Sequence, residues 1–174
     1  MFWVAKLERK HDITKGKTYF CSMKKAIFPG SFDPFTVGHA NIVARALPLF
    51  DRIVIGVGIN AGKSALYGAE ERVERIRRIY AGDDRISVVC YDDLTVDLAR
   101  REGADVIVRG VRGTRDFEYE REVAAVNRRL AGIETVLIPC DESLACVSSS
   151  LVRELIAHGR DVTEFLPAEK VCDK

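Results

Sequence analysis

The sequence predicts an α/β protein: a doubly wound parallel sheet joined by right-handed crossovers, with helices on both faces. Two observations lead there. Short apolar runs alternate along the chain with segments of helical period, as strands joined by crossover helices require. The run Ile53, Val54, Ile55 is continuous rather than alternating, which marks a strand buried on both sides.

The elements follow in order. Ala26, Ile27 and Phe28 read as a first buried strand, and Pro29 and Gly30 are expected to end it, since proline offers no ladder donor and glycine tolerates a sharp turn. A loop with Ser31, Asp33 and Pro34 leads through Thr36, Val37, Gly38 and His39 into a helical pattern at Asn41, Ile42, Val43, Ala46, Leu47 and Phe50. Residues 52–59 form a second strand, followed by a loop at 60–64. A helix over 69–80 buries Val73, Ile76 and Tyr80 and shows Arg75, Arg77 and Arg78 on its surface. Residues 86–91 make strand three. Thr95 is placed to cap a short helix through Arg101, closed by Gly103, before strand four at 104–108. A helix reaching Leu130 has Phe117, Val123, Val126 and Leu130 inward, strand five covers 135–138, and a last helix opens on Ser148, Ser149 and Ser150 and stops at Gly159.

The 174 residues, 47% apolar and 30% charged, fit one ordinary domain. A net charge of +1 supplies no long-range field for nucleic acid or an acidic membrane, so charged groups must act locally. Cysteines at 21, 90, 140, 146 and 172 show neither a CxxC pair nor zinc-ligand spacing with the histidines, and are read as reduced thiols of a cytoplasmic protein. No run approaches the roughly 18–20 apolar residues of a membrane span.

The chemistry concentrates in residues 26–39, AIFPGSFDPFTVGH. A strand, a Gly/Pro loop and a helix start make an anion site, because unpaired backbone N–H groups and the positive end of the helix dipole point at the ligand. His39 sits at that end, where a surface or capping histidine is the plain alternative. This stretch resembles the first motif of the nucleotidylyltransferase superfamily, whose T/HxGH signature is matched by Thr36, Val37, Gly38 and His39. With the later motifs at matching intervals, residues 24–167 resemble the phosphopantetheine adenylyltransferase family in particular.

That resemblance implies a Rossmann-like five-stranded sheet of order 3-2-1-4-5, which makes strands one and four neighbours where the order reverses; ligands bind beyond the strand ends at such a reversal. It implies transfer of AMP from ATP to 4′-phosphopantetheine in coenzyme A synthesis, with Mg2+ carried on the ATP and no metal cage from side chains. His39 is implied to steady the α-phosphate, and Ser31 and Phe32 to lie against both ligands. Lys63 and Arg109 are implied to hold the acceptor phosphate; for Lys63 alone, a solvated charge is the alternative. Gly110, Val111 and Arg112 correspond to ATP contacts. So does Glu120, which without the family would read as a solvent-facing charge. Leu144, Ala145, Cys146, Val147, Ser148, Ser149 and Ser150 match the final ATP motif, although 140–146 departs from the family in length and composition. Thr95 aligns with a pantetheine-facing position and suits a backbone contact. Asp33 is read as either an outer support of the site or a turn-stabilising residue.

The segment at 109–120, RGVRGTRDFEYE, speaks against sister transferases acting on nicotinamide mononucleotide or glycerol phosphate. Intact His39, Lys63 and Arg109 speak against a non-catalytic nucleotide sensor. The family is hexameric, which is carried over as analogy. Because the resemblance begins after Met23, residues 1–22 are expected to be a poorly ordered extension of a single domain at 23–174; they show no signal-peptide pattern.

Overall fold

The computed structural model describes residues 24–59 and 65–170. The expected extension over 1–22 and the predicted site residue Lys63 lie outside the described residues. Five parallel strands, β1 (Lys25–Gly30), β2 (Arg52–Gly58), β3 (Ile86–Tyr91), β4 (Val106–Val111) and β5 (Glu134–Pro139), form one sheet in the order β3-β2-β1-β4-β5. The helices are α1 (Val37–Ala46), α2 (Ala69–Ile79), α3 (Thr95–Glu102), α4 (Thr114–Ala131) and α5 (Ser149–Ala157). The doubly wound fold agrees with the sequence reading, and the strand order is the one the family resemblance implies.

Alternation along the strands assigns the two faces. Ala26, Phe28, Ile53, Ile55 and Val57 join Ile42, Val43 and Ala46 of α1 and Val73 and Ile76 of α2 in one core. Ile27, Val54 and Ile107 face the other way and pack on Val96, Leu98 and Ala99 of α3. Each central strand is therefore buried on both sides, which is why its sequence is continuously apolar.

The feature that makes a site is a short ladder. β1 pairs with β2 along its whole length, from Lys25 with Arg52 to Gly30 with Val57. With β4 it pairs only at Ala26 with Val106 and Ile27 with Ile107. Beyond Ile27 the two strands part at the reversal of strand order, and a cleft opens. Pro29 lies within β1 rather than ending it. Its carbonyl accepts from Arg109 on the β4 side, so the N–H it lacks would have faced the same gap and costs no ladder bond.

Three expectations are corrected. β4 runs to Val111, past the end expected at 108, so Arg109, Gly110 and Val111 are strand residues paired with Leu137, Ile138 and Pro139. Thr95 does not cap α3; Leu94 holds the cap position, and the Thr95 hydroxyl is 3.3 Å from Tyr91 Oη. On α4, Phe117, Val126 and Leu130 are 46%, 54% and 56% exposed, while Glu120 and Asn127 are the buried residues. The inner face of that helix carries polar residues, and of the two buried ones Glu120 borders the cleft.

Candidate active site

The cleft at the parting of β1 and β4 has a volume of about 720 Å³. Ser31, Phe32, His39, Arg109, Gly110, Arg112, Glu120, Leu144, Val147, Ser148, Ser149 and Ser150 all line it. Val111 is buried away from it, and its carbonyl accepts from Cys140 N at 2.8 Å. Ala145, Cys146 and Thr95 are not in the lining. Ile59 and Ala65, on either side of residues 60–64, are.

The spacing of Thr36 and His39 has a local cause. Thr36 is the N-cap of α1 and His39 its third residue, so the imidazole occupies the place where a capping box usually puts Glu or Gln. Thr36 N donates to His39 Nδ1 at 3.0 Å. A ring nitrogen that accepts an N–H carries no proton of its own, so the neutral ring bears its hydrogen on Nε2. Phe32 and Phe35 enclose the ring at centroid distances of 5.1 and 5.3 Å. Burial first, then the charges of Arg112 and Arg109, lower its pKa to about 4. His39 therefore meets the cleft at neutral pH as an uncharged N–H donor.

Phe32 adopts φ 48, a left-handed angle that costs a bulky residue about 1–3 kcal/mol. Its ring contacts with Phe28 and Phe35, at 5.2 Å each, together with His39, contribute about 0.5–1.5 kcal/mol apiece and hold it there. A Cβ on Gly30 would come within 2.7 Å of that ring, so glycine is required beside it. Asp33 is buried and accepts from Leu66 N at 2.8 Å and Tyr67 N at 3.0 Å. It ties the loop after β1 to the chain entering α2, beyond either role foreseen for it.

Arg109 is held on two sides. Its Nε and Nη2 donate to the Glu120 carboxylate at 2.8 and 2.5 Å, and Nη1 donates to Pro29 O at 2.6 Å. Glu120 is thus no solvent-facing charge, being 7% exposed. Three of the five guanidinium hydrogens are used, and two remain for a ligand. Gly110 follows because a Cβ there would lie 2.8 Å from Ile42 Cγ1 of α1. Arg112 pairs with Asp116 at 2.7 Å.

The triple serine is engaged hydroxyl by hydroxyl. Ser148 caps α5 by accepting from Leu151 N at 3.1 Å, Ser149 Oγ donates to Pro34 O at 2.8 Å, and Ser150 Oγ accepts from Arg153 Nη2 at 3.1 Å. What α5 offers the cleft is its first-turn amides, which have no intrahelical acceptor. The sequence reading missed Arg72 and Arg153, which also line the cleft. For Arg72 the signal was present: it lies at the helical period of Ala69, Val73, Ile76 and Tyr80, a charged residue in a core position. Among the described residues, no group of three or more His, Cys, Asp or Glu is placed to hold a metal ion.

A cleft at the reversal of a parallel sheet, walled by a helix N-terminus and arginines, suits a ligand that carries phosphates. A family profile described as cytidylyltransferase-like matches residues 27–155. Among solved structures the fold is shared with a bifunctional NMN adenylyltransferase/ADP ribose pyrophosphatase from Francisella tularensis complexed with AMP and a manganese ion. The TM-score is 0.64 at 15% identity, over 84% of this chain and 45% of that one, a likeness of Rossmann-like fold alone. The chain is 54% identical over 153 residues to the phosphopantetheine adenylyltransferase of Porphyromonas gingivalis, covering 87% of this chain and 100% of that protein. It is 51% identical over 145 residues to that of Bacteroides thetaiotaomicron, covering 83% and 96%. The chain belongs to the phosphopantetheine adenylyltransferase family.

Proposed function

We propose that the chain transfers AMP from MgATP to 4′-phosphopantetheine, giving dephospho-coenzyme A and pyrophosphate in coenzyme A synthesis. The observation that carries this reading is the convergence of His39, Arg109 and the N-terminus of α5 on one cleft. The names of the relatives at 54% and 51% identity support the acceptor.

An oxygen of the acceptor phosphate attacks the α-phosphorus in line with the bond to the β-phosphate. That bond breaks, and its electron pair leaves with pyrophosphate. With a second pKa of about 6 the acceptor phosphate is mostly dianionic at neutral pH, so no general base is needed. The obstacle is repulsion between two polyanions, which cations and oriented N–H donors overcome by holding both in line.

His39 donates from Nε2 to an α-phosphate oxygen. Arg109 presents its two remaining N–H groups to the acceptor phosphate, with Lys63 as a second cation. Glu120 serves by orienting Arg109, which replaces the direct nucleotide contact expected of it. Ser31 and Phe32 lie between the ligands, Gly110 and Arg112 wall the nucleotide, and the amides of Ser149 and Ser150 receive its phosphates. Thr95 keeps only a backbone contact with the pantetheine arm, since its hydroxyl is paired with Tyr91.

The cleft's carboxylates are already engaged: Asp33 with two amides, Asp116 with Arg112 and Glu120 with Arg109. Mg2+ therefore arrives on the ATP phosphates, keeping several waters. We place the enzyme in the cytoplasm, where the thiols of Cys90, Cys140 and Cys146 stay reduced. We take it to assemble as a homohexamer through apolar surface such as the exposed side of α4.

A pyrophosphate-release assay with ATP and a panel of acceptors tests the reading. Release with 4′-phosphopantetheine is expected. Release with nicotinamide mononucleotide instead would reassign the chain to a sister transferase, and nucleotide binding without turnover would make it a sensor.

A further inference from the structure

Four arginines line the cleft: Arg72, Arg109, Arg112 and Arg153. Three face a carboxylate: Arg109 meets Glu120 at 2.5 Å, Arg112 meets Asp116 at 2.7 Å and Arg153 meets Asp33 at 4.0 Å. Arg72 is different. It is the buried one, at 5% exposure, yet it has no carboxylate at ion-pair distance among the described residues. The adjoining segment 60–64 reads Asn-Ala-Gly-Lys-Ser and contains no acid to supply one.

Its hydrogen bonds all go to main-chain carbonyls. Nε donates to Tyr67 O at 3.1 Å, and Nη1 donates to Gly58 O at 3.2 Å and to Ser31 O. Those carbonyls belong to the chain entering α2, the end of β2 and the loop after β1. One guanidinium thus fastens together three segments that border the cleft. Carbonyl dipoles satisfy its hydrogens without cancelling its net charge. A desolvated cation is otherwise paired with an anion, because burial without one is costly. The two Nη2 hydrogens have no partner among the described residues.

We infer that Arg72 is a further functional residue of this site, a positioning residue that locks the loop carrying Ser31 to the end of β2 and whose buried charge is balanced by the phosphates of the bound nucleotide. The inference rests on the proposed transfer reaction. Its two parts are linked: the clamp is completed when the polyanion arrives, so ligand binding and loop order reinforce each other.

Two variants of the full chain separate the charge from the clamp. Arg72→Met keeps length without charge; Arg72→Lys keeps charge but cannot bridge three carbonyls. Inorganic pyrophosphate binding is measured by calorimetry and kcat by dephospho-coenzyme A formation, both below each variant's melting temperature. Arg72→Met is expected to bind pyrophosphate at least about tenfold more weakly. Arg72→Lys should recover most of that affinity while its kcat stays on the order of tenfold or more below wild type. A purely structural clamp would lower both melting temperatures and leave pyrophosphate affinity unchanged, which would overturn the inference.

Should neither variant fold, hydrogen exchange on the wild-type chain decides. Pyrophosphate is expected to slow amide exchange at 30–33 and 56–59, and unchanged protection there overturns the inference. Arg72-dependent pyrophosphate binding in a chain inactive with every acceptor would sink the transfer reading and keep the anion site.

Discussion

A neutral imidazole can donate a hydrogen bond to a phosphate oxygen but cannot act as a cation or, from Nε2–H, as a base. Transition-state charge on the α-phosphate strengthens such a bond more than ground-state charge does. His39→Ala should therefore cut kcat on the order of a hundredfold, with ATP affinity held within a few-fold. Equal losses in steady-state turnover and in equilibrium ATP binding would refute that role. The same ring makes a stability prediction. Its folded pKa, about 4, lies below the ordinary 6.5, so between those values the unfolded chain binds the proton that the folded ring refuses. The stabilisation is complete above pH 6.5 and is lost as pH falls toward 4, by on the order of 3 kcal/mol. His39→Gln, which preserves the cap, should flatten that part of the denaturant-derived stability profile relative to wild type. Arg109 and Glu120 make a second residue-scale test. Breaking a buried pair from one side costs about 3–5 kcal/mol, so Glu120→Gln should loosen Arg109 and raise the acceptor KM several-fold. A rise confined to the ATP KM would mean that Glu120 contacts the nucleotide directly.

The strands and the T-x-G-H helix start were legible because each is a local matter. Burial on both faces writes continuous apolar runs, and the cap of α1 fixes the interval between Thr36 and His39. What escaped was set by partners distant in sequence. Arg109 belongs to a strand because Leu137 is across the ladder, and Glu120 is buried because Arg109 reaches it from 11 residues away. α4 carries two stripes of helical period, and the apolar one was taken as the inner one. Its polar stripe, with Glu120 and Asn127, is the buried one, and Glu120 borders the cleft, while Phe117, Val126 and Leu130 stand exposed. Apolar residues at helical spacing on a solvent face suit a contact surface, and the proposed homohexamer would use this one. Val126→Asp with Leu130→Asp should lower the assembly mass by sedimentation and leave the far-ultraviolet spectrum intact; an unchanged mass would place the contact elsewhere.

At the scale of the whole molecule, one accident of topology organises everything else. The sheet reverses order between β1 and β4, their ladder stops after Ile27, and the loops after both strands and the start of α5 close around the gap. A net charge of +1 over 174 residues means that the attraction for two polyanions is local, supplied by arginines inside the cleft rather than by the molecular surface. Under the proposed function such a site needs no covalent relay: acceptor and ATP would lie side by side, and one phosphate would displace pyrophosphate from the other. The stereochemical course at phosphorus reads this out directly. With ATP made chiral at the α-phosphate by sulfur substitution, dephospho-coenzyme A should form with inversion, the mark of a single in-line displacement. Retention would show two displacements through an enzyme-bound adenylate and would contradict direct transfer in this cleft.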